Sequence, residues 1–184
     1  EALEMFRKGA NLGSSDACHA MAQLFFRQGS DLKYFEAELK AAEMGNEEAM
    51  LNVAGAYKQG QGTLKNIGKS THWLLRSAEK GNPESMTKVA LAYVEGFGLS
   101  ENPMEGLAWL YVAEFKRNDK AIDLIKTAEA KLNNSLILMA QDRAKVIIDL
   151  IKEGRRTSDS SVSGSSSMPS PGQVAPSKPK HESK

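Results

Sequence analysis

Two glycine pairs are the first places to look for chemistry. Gly60-Gln61-Gly62 and Gly96-Phe97-Gly98 have a spacing that could let backbone amides close around a phosphate. A dinucleotide loop, however, follows a strand and carries a third glycine for close helix packing. Here a helical pattern precedes each pair, and the fifth position after the first glycine is Lys65 or Glu101, so both pairs read as structural turns. His19 and His72 fall on separate helical segments with no second Cys or His at ligand spacing, and His181 lies near the end of the chain. These give no metal set. No nucleophile, base and orienting group can be assembled from nearby positions. No catalytic residue, metal or cofactor is expected, and the chain reads as a non-enzyme.

The segments that carry these residues repeat. Leu39-Lys40-Ala41-Ala42-Glu43-Met44-Gly45-Asn46 is followed by Leu75-Arg76-Ser77-Ala78-Glu79-Lys80-Gly81-Asn82. The same offset takes Met50 to Met86, Val53 to Val89, Ala54 to Ala90, Tyr57 to Tyr93, and the first glycine pair to the second. Self-similarity at a fixed period of this size signals a solenoid. An earlier unit aligns if its turn is four residues shorter than the others: Gly13 under Gly45, Ala17 under Ala49, Phe25 under Tyr57. A later unit places Trp109 on Trp73 and Asn118 on Asn82, then decays as Ala90 gives way to Lys126 and Tyr93 to Glu129. That second helix has lost part of the face that would receive another repeat.

Each unit reads as two helices. Ser70, Trp73, Leu74, Ser77 and Ala78 form the stripe of an amphipathic helix. Gly81 suits the residue just past its end, and Asn82-Pro83-Glu84 supplies an N-cap, a first-turn proline and an acid at the positive end of the next helix. Cys18 shares a column with Met50, Met86 and Ile122, so it reads as a buried small hydrophobe rather than a reactive thiol. The expected fold is all-α: a right-handed superhelical solenoid of about four α-hairpins (units 1–30, 31–66, 67–102 and 103–131) with a C-terminal capping helix over about 136–153. Nothing alternates with period two for long enough to make a sheet. Residues 155–184, rich in Ser, Pro and Lys with no aromatic residue, are expected to be a disordered tail.

Composition narrows the function. A formal charge of +1 over 184 residues creates no global field favouring nucleic acid or membrane. No apolar run approaches a bilayer span. A single cysteine excludes an internal disulfide framework. The chain opens at Glu1, without a Met and inside a repeat, so it reads as a fragment or processed form, and periplasmic, secreted and cytoplasmic placements all stay open.

The repeat resembles the Sel1-like repeat (SLR) family, relatives of the tetratricopeptide proteins. The matching elements are Ser70-Thr71-His72-Trp73, Ala41-Ala42-Glu43-Met44-Gly45-Asn46, the run from Ala49 to Tyr57, and Gly60-Gln61-Gly62 with Asn66. The resemblance covers about residues 1–131. Ala37, where an aromatic is typical, and the shortened first turn depart from it. It implies a scaffold for protein or peptide partners, with no catalytic residues, often in bacterial envelope or host-interaction proteins and in eukaryotic quality-control adaptors. A regulatory or accessory region of a larger envelope-associated or secreted protein is the alternative. A monomer is favoured.

Two sets of columns lie off the main core stripe of the first helices. One holds Glu4, Glu36, His72, Ala108 and Lys8, Lys40, Arg76, Val112; the other holds Leu3, Phe35, Thr71, Leu107 and Arg7, Leu39, Leu75, Tyr111. The charged set suits a solvated face or the rim of a groove, and the apolar set suits a widened core face or a groove floor. The candidate partner-binding residues are Leu39, Leu75, Tyr111, Lys40, Arg76, Glu36 and His72.

Overall fold

The computed structural model describes the backbone of residues 2–160 and the side chains of residues 3–154. Among these residues the chain forms nine helices and no strand: α1 (Ala2–Asn11), α2 (Ser15–Arg27), α3 (Asp31–Glu43), α4 (Glu47–Gln59), α5 (Ile67–Lys80), α6 (Pro83–Glu95), α7 (Pro103–Phe115), α8 (Asp119–Glu129) and α9 (Asn134–Ser160). Helices α1 to α8 pair as four hairpins, each packed on the next to make an all-α solenoid.

Recurrent asparagines and glycines set the boundaries. Asn46 Oδ1 accepts from the Ala49 amide at 2.8 Å, Asn66 from Lys69 at 2.9 Å, Asn82 from Ser85 at 2.9 Å and Asn102 from Glu105 at 3.1 Å. Each satisfies an amide that a helix start leaves without a partner, a contribution of about 1 kcal/mol. The second glycine of each Gly-x-Gly turn is required twice over. Gly62 (φ +65°) and Gly98 (φ +75°) are left-handed, and a Cβ there would run into the Asp31 carbonyl and the Thr71 hydroxyl respectively. Each turn thus lies against the first helix of its own hairpin, α3 in the one case and α5 in the other, and the Thr71 hydroxyl donates to the Phe97 carbonyl at 3.2 Å. The turn after α2 is shorter by four residues, as the sequence offset requires.

Small residues bring the layers together. Ala41, Ala42, Ala49, Ala78, Ala90 and Ala113 are fully buried. The buried serines use their hydroxyls: Ser70 donates to the Ala54 carbonyl at 2.7 Å, and Ser85 to Ser77 Oγ at 2.7 Å. Trp73 and Trp109 are 7% and 4% exposed at successive layer interfaces, while Met5, in the same column of α1, is 70% exposed. Cys18, Met50 and Met86 are buried as expected, but Ile122 in that column is exposed, because among the described residues no hairpin stacks on α8.

The last helix does not continue the stack. Its main partner is α7, and it also reaches α5. The face α8 would offer a following helix carries the exposed Lys126 and the half-buried Glu129 in place of the buried Ala90 and Tyr93 of α6. The apolar strip Ala140, Ala144, Ile147 and Ile151 instead joins the core of the third and fourth hairpins. Asn133 caps this helix through the Leu136 amide at 3.0 Å. It runs through Ser160, beyond the end expected near residue 153 and into the first residues assigned to the tail. No proline interrupts the chain there, and Gly154 alone, at about 1 kcal/mol relative to alanine, is too weak a stop. The rest of the expected tail, with His181, lies outside the described residues.

Candidate functional site: the outer face of the first helices

The first helix of each hairpin presents one outward line of side chains. On α3 it is Lys33, Glu36, Lys40 and Glu43, all exposed. On α5 the same positions are Lys69, His72, Arg76 and Glu79, with His72 exposed and Arg76 half-buried. The Arg76 guanidinium lies 4.7 Å from the Trp73 ring centroid, where the positive charge meets the negative face of the indole. Burial holds the Glu79 carboxyl above the ordinary carboxylate range, opposed by Arg76. On α7 the line reads Glu105, Ala108, Val112 and Phe115, and the first three are buried.

Helix α9 covers that line on α7. Arg143 Nε is 3.1 Å from both carboxylate oxygens of Glu105 near the start of α7. Lys152 Nζ lies 5.5 Å from the Phe115 ring at its end, so the two helices run in the same direction. The sequence carried a signal of this, in that α7 is apolar almost all round, and such a helix must be covered on every side. Periodicity alone does not say which element covers it.

The candidate floor residues Leu39, Leu75 and Tyr111 are half-buried. Leu39 packs against the core of the first two hairpins, and Leu75 and Tyr111 against that of the last two. The Tyr111 hydroxyl donates to Glu129 Oε1, and burial together with that bond pushes its pKa up to about 12. The structure therefore seats one edge of each side chain in the core. Glu36, Lys40 and His72 stand free of it on the open line.

One polar cluster escaped the reading of the residues. Glu38 is fully buried in α3. Its carboxylate accepts from His19 Nδ1 at 2.9 Å and Gln23 Nε2 at 3.1 Å on α2, and from Asn52 Nδ2 at 2.9 Å on α4. Burial raises the Glu38 carboxyl above its ordinary value and the three donors oppose that rise. Glu38 lies on the core stripe, where a lone acid at a normally apolar position was the available signal. His19 and Glu38 are far enough apart in sequence that only the fold joins them.

Among the described residues no group of three or more His, Cys, Asp or Glu is arranged to hold a metal ion, and no helix is long and apolar enough to cross a membrane. What the molecule offers is a long helical surface with alternating charge, interrupted at one end by a helix of its own.

The fold and its register define a solenoid of α-hairpins. The chain carries Sel1 repeats: the Sel1 repeat model matches residues 1–14, 47–82 and 83–113. These matches group α4 with α5 and α6 with α7, half a unit out of phase with the hairpins described above. Residues 14–46, with the shortened turn and Ala37, lie almost wholly outside them. A protective antigen of uropathogenic Escherichia coli strains, displaying an SLR fold, superimposes with a TM-score of 0.74 at 22% identity, over 91% of this chain and 37% of that one. A Sel1 repeat protein from Oxalobacter formigenes gives a TM-score of 0.59 at 25% identity, over 62% of this chain and 49% of that one. The chain thus spans less than half the length of either structure. No curated protein matches it.

Proposed function

We propose that the chain is a non-enzymatic scaffold that binds a protein or peptide partner along the outward line of α3 and α5, the face taken to be concave. The observation that carries this reading is the seat of α9. On α7, a helix already occupies the positions equivalent to Glu36, Lys40, His72 and Arg76, so this repeat surface accepts a helix when its side chains suit one. On α3 and α5 the line is open and charged, with Lys40 and Arg76 orienting the partner and speeding encounter. The exposed edges of Leu39 and Leu75 add apolar contact between them, and Tyr111 marks where the track meets α9. A regulatory or accessory role within a longer protein is the second reading, favoured by the small share of the Escherichia coli antigen that the chain spans.

The test is Lys40→Glu with Arg76→Glu in the full chain. Both side chains lie outside the core, so circular dichroism should be unchanged. Partners captured by the wild type and identified by mass spectrometry should be lost. Undiminished capture by the folded double variant would remove this face from the function.

A further inference from the structure

Helix α9 carries two apolar stripes, and the fold uses one of them. Ala140, Ala144, Ile147 and Ile151 are buried and join the core of the last two hairpins. Leu136, Met139, Val146 and Leu150 belong to none of the three cores. Met139 and Val146 are 53% and 49% exposed, and Leu136 and Leu150 are half-buried. With Arg143 between them, these residues recur at alternate steps of three and four, the spacing with which one helix packs along another.

The second stripe turns toward α5. The opposite flank of α9, with Gln141, Lys145 and Ile148, shares a groove with Tyr111, Glu114 and Phe115 of α7, and Tyr111 is bonded to Glu129 of α8. The stripe therefore points the other way, to the side on which α9 also reaches α5. There the open line presents Lys69, His72 and Arg76. Among the described residues neither Lys69 nor Arg76 forms an ion pair, and the same holds for Lys33 and Lys40 on α3. Arg143 bonds through Nε alone, to Glu105, and its side chain is 37% exposed. Its two terminal nitrogens are left for another acceptor.

We propose that the second stripe of α9 and the cations of α5 form a two-sided seat for one amphipathic, acidic α-helix of a partner protein. Its apolar edge lies along Leu136, Met139, Val146 and Leu150, and its carboxylates face Arg143, Lys69 and Arg76. This rests on the reading that the partner uses the α3–α5 line, and it adds the partner's form and charge. The apolar edge supplies the anchors, and the cations set orientation and encounter rate. Charge decides against a second copy of this chain as the occupant. Two parallel copies of α9 would set Arg143 against Arg143, and two antiparallel copies would set each guanidinium against Met139 or Val146. The copy's nearest acids, Asp142 and Asp149, already pair with Lys145 and Lys152 on their own helix at 2.9 and 3.4 Å.

The probe is a fluorescently labelled synthetic helix with leucine at the heptad packing positions and glutamate on the flanks, titrated with the full chain and read by anisotropy. It should bind at least about tenfold tighter than the same helix with lysine in place of glutamate, and added salt should narrow that gap. Val146→Glu, at an exposed position outside every core, should weaken binding about tenfold or more with an unchanged circular dichroism spectrum. Lys69→Glu with Arg76→Glu should erase the preference for the acidic probe. Equal binding of the two probes, or undiminished binding by Val146→Glu, would overturn the seat. So would a chain that sediments as a dimer and is dissociated by Val146→Glu, or one that binds phosphatidylglycerol vesicles and not the probe, since a second copy or a lipid surface would then cover the stripe. The two readings fail separately. If Val146→Glu still captures the partners that Lys40→Glu with Arg76→Glu loses, the partner face stands and the helix seat falls.

Discussion

The interface between α2 and α3 and the one between α6 and α7 are built on the same repeat geometry and filled with opposite chemistry. At the first, Glu38 is sealed in with hydrogen bonds from His19, Gln23 and Asn52. At the second, the equivalent Leu110 is 2% exposed in a core that includes Met86, Val89, Tyr93 and Trp109. Caps, Gly-x-Gly turns and small residues fix the distance between layers, and the side chains at the centre are then free to be polar or apolar. A buried charge with all its donors holds a layer in register, while its desolvation cost offsets much of the attraction. An apolar contact of the same area gives stability without a pH dependence.

The harshest way to break this comparison is to move the acid without its donors. In Leu110→Glu the counterparts of His19, Gln23 and Asn52 are Thr87, Leu91 and Leu124, and the Thr87 hydroxyl already donates to the Pro83 carbonyl and accepts from Asn118. The new carboxylate would be enclosed and unpaired. We expect a loss of about 5 kcal/mol in urea unfolding at neutral pH, the upper end for a buried charge stripped of partners. A loss below about 1 kcal/mol would mean that the α6–α7 interface tolerates charge, and that the two junctions do not differ as described.

Trp109→Ala comes next, at about 3–5 kcal/mol for a large aromatic removed from a packed layer. Solenoid stability is a sum of units and nearest-neighbour interfaces, so hydrogen exchange should quicken first in α5–α9. The first hairpin, joined through its polar seam, should change least. Equal loosening from end to end would contradict the local character of the interfaces.

The helices, their pairing and the missing face of α8 were legible because they rest on local signals: the helical period, Asn and Gly punctuation, and the substitution of Lys126 and Glu129 into an apolar column. The seat of α9 was not, because a terminal amphipathic helix can close the end of a stack or fold back along its side. The choice turns on the match between its Ala140–Ile151 strip and the apolar line of α7. The Glu38 cluster was illegible for a related reason. His19 and Gln23 look like ordinary polar residues on a helix until α3 is laid across them. Leu39, Leu75 and Tyr111 lie beyond the main stripe, and the half-buried positions they take leave both of their readings physically available.

The smallest effect sharpens the comparison most. Glu38→Leu converts the first interface to the residue found at both later ones, and at pH 7 its stability should stay within about 1 kcal/mol of the wild type. Two opposing terms set that value. The variant no longer pays the desolvation of a buried carboxylate, which favours it, but Gln23, Asn52 and His19 lose their shared acceptor and must turn toward water from half-buried positions. The sign with pH is fixed separately. The folded-state carboxyl lies above its unfolded value, so the wild type binds its proton more tightly when folded. Its stability therefore rises as pH falls through the window between the two values and is lost as pH rises back through it. The variant lacks that linkage, so its stability relative to the wild type should be highest near neutrality and fall on acidification. Urea midpoints measured from about pH 7.5 down to about pH 4.5 should show the wild type gaining on the variant toward the acid side. Parallel curves would mean that Glu38 titrates alike in both states, and that burial at this seam does not govern its proton.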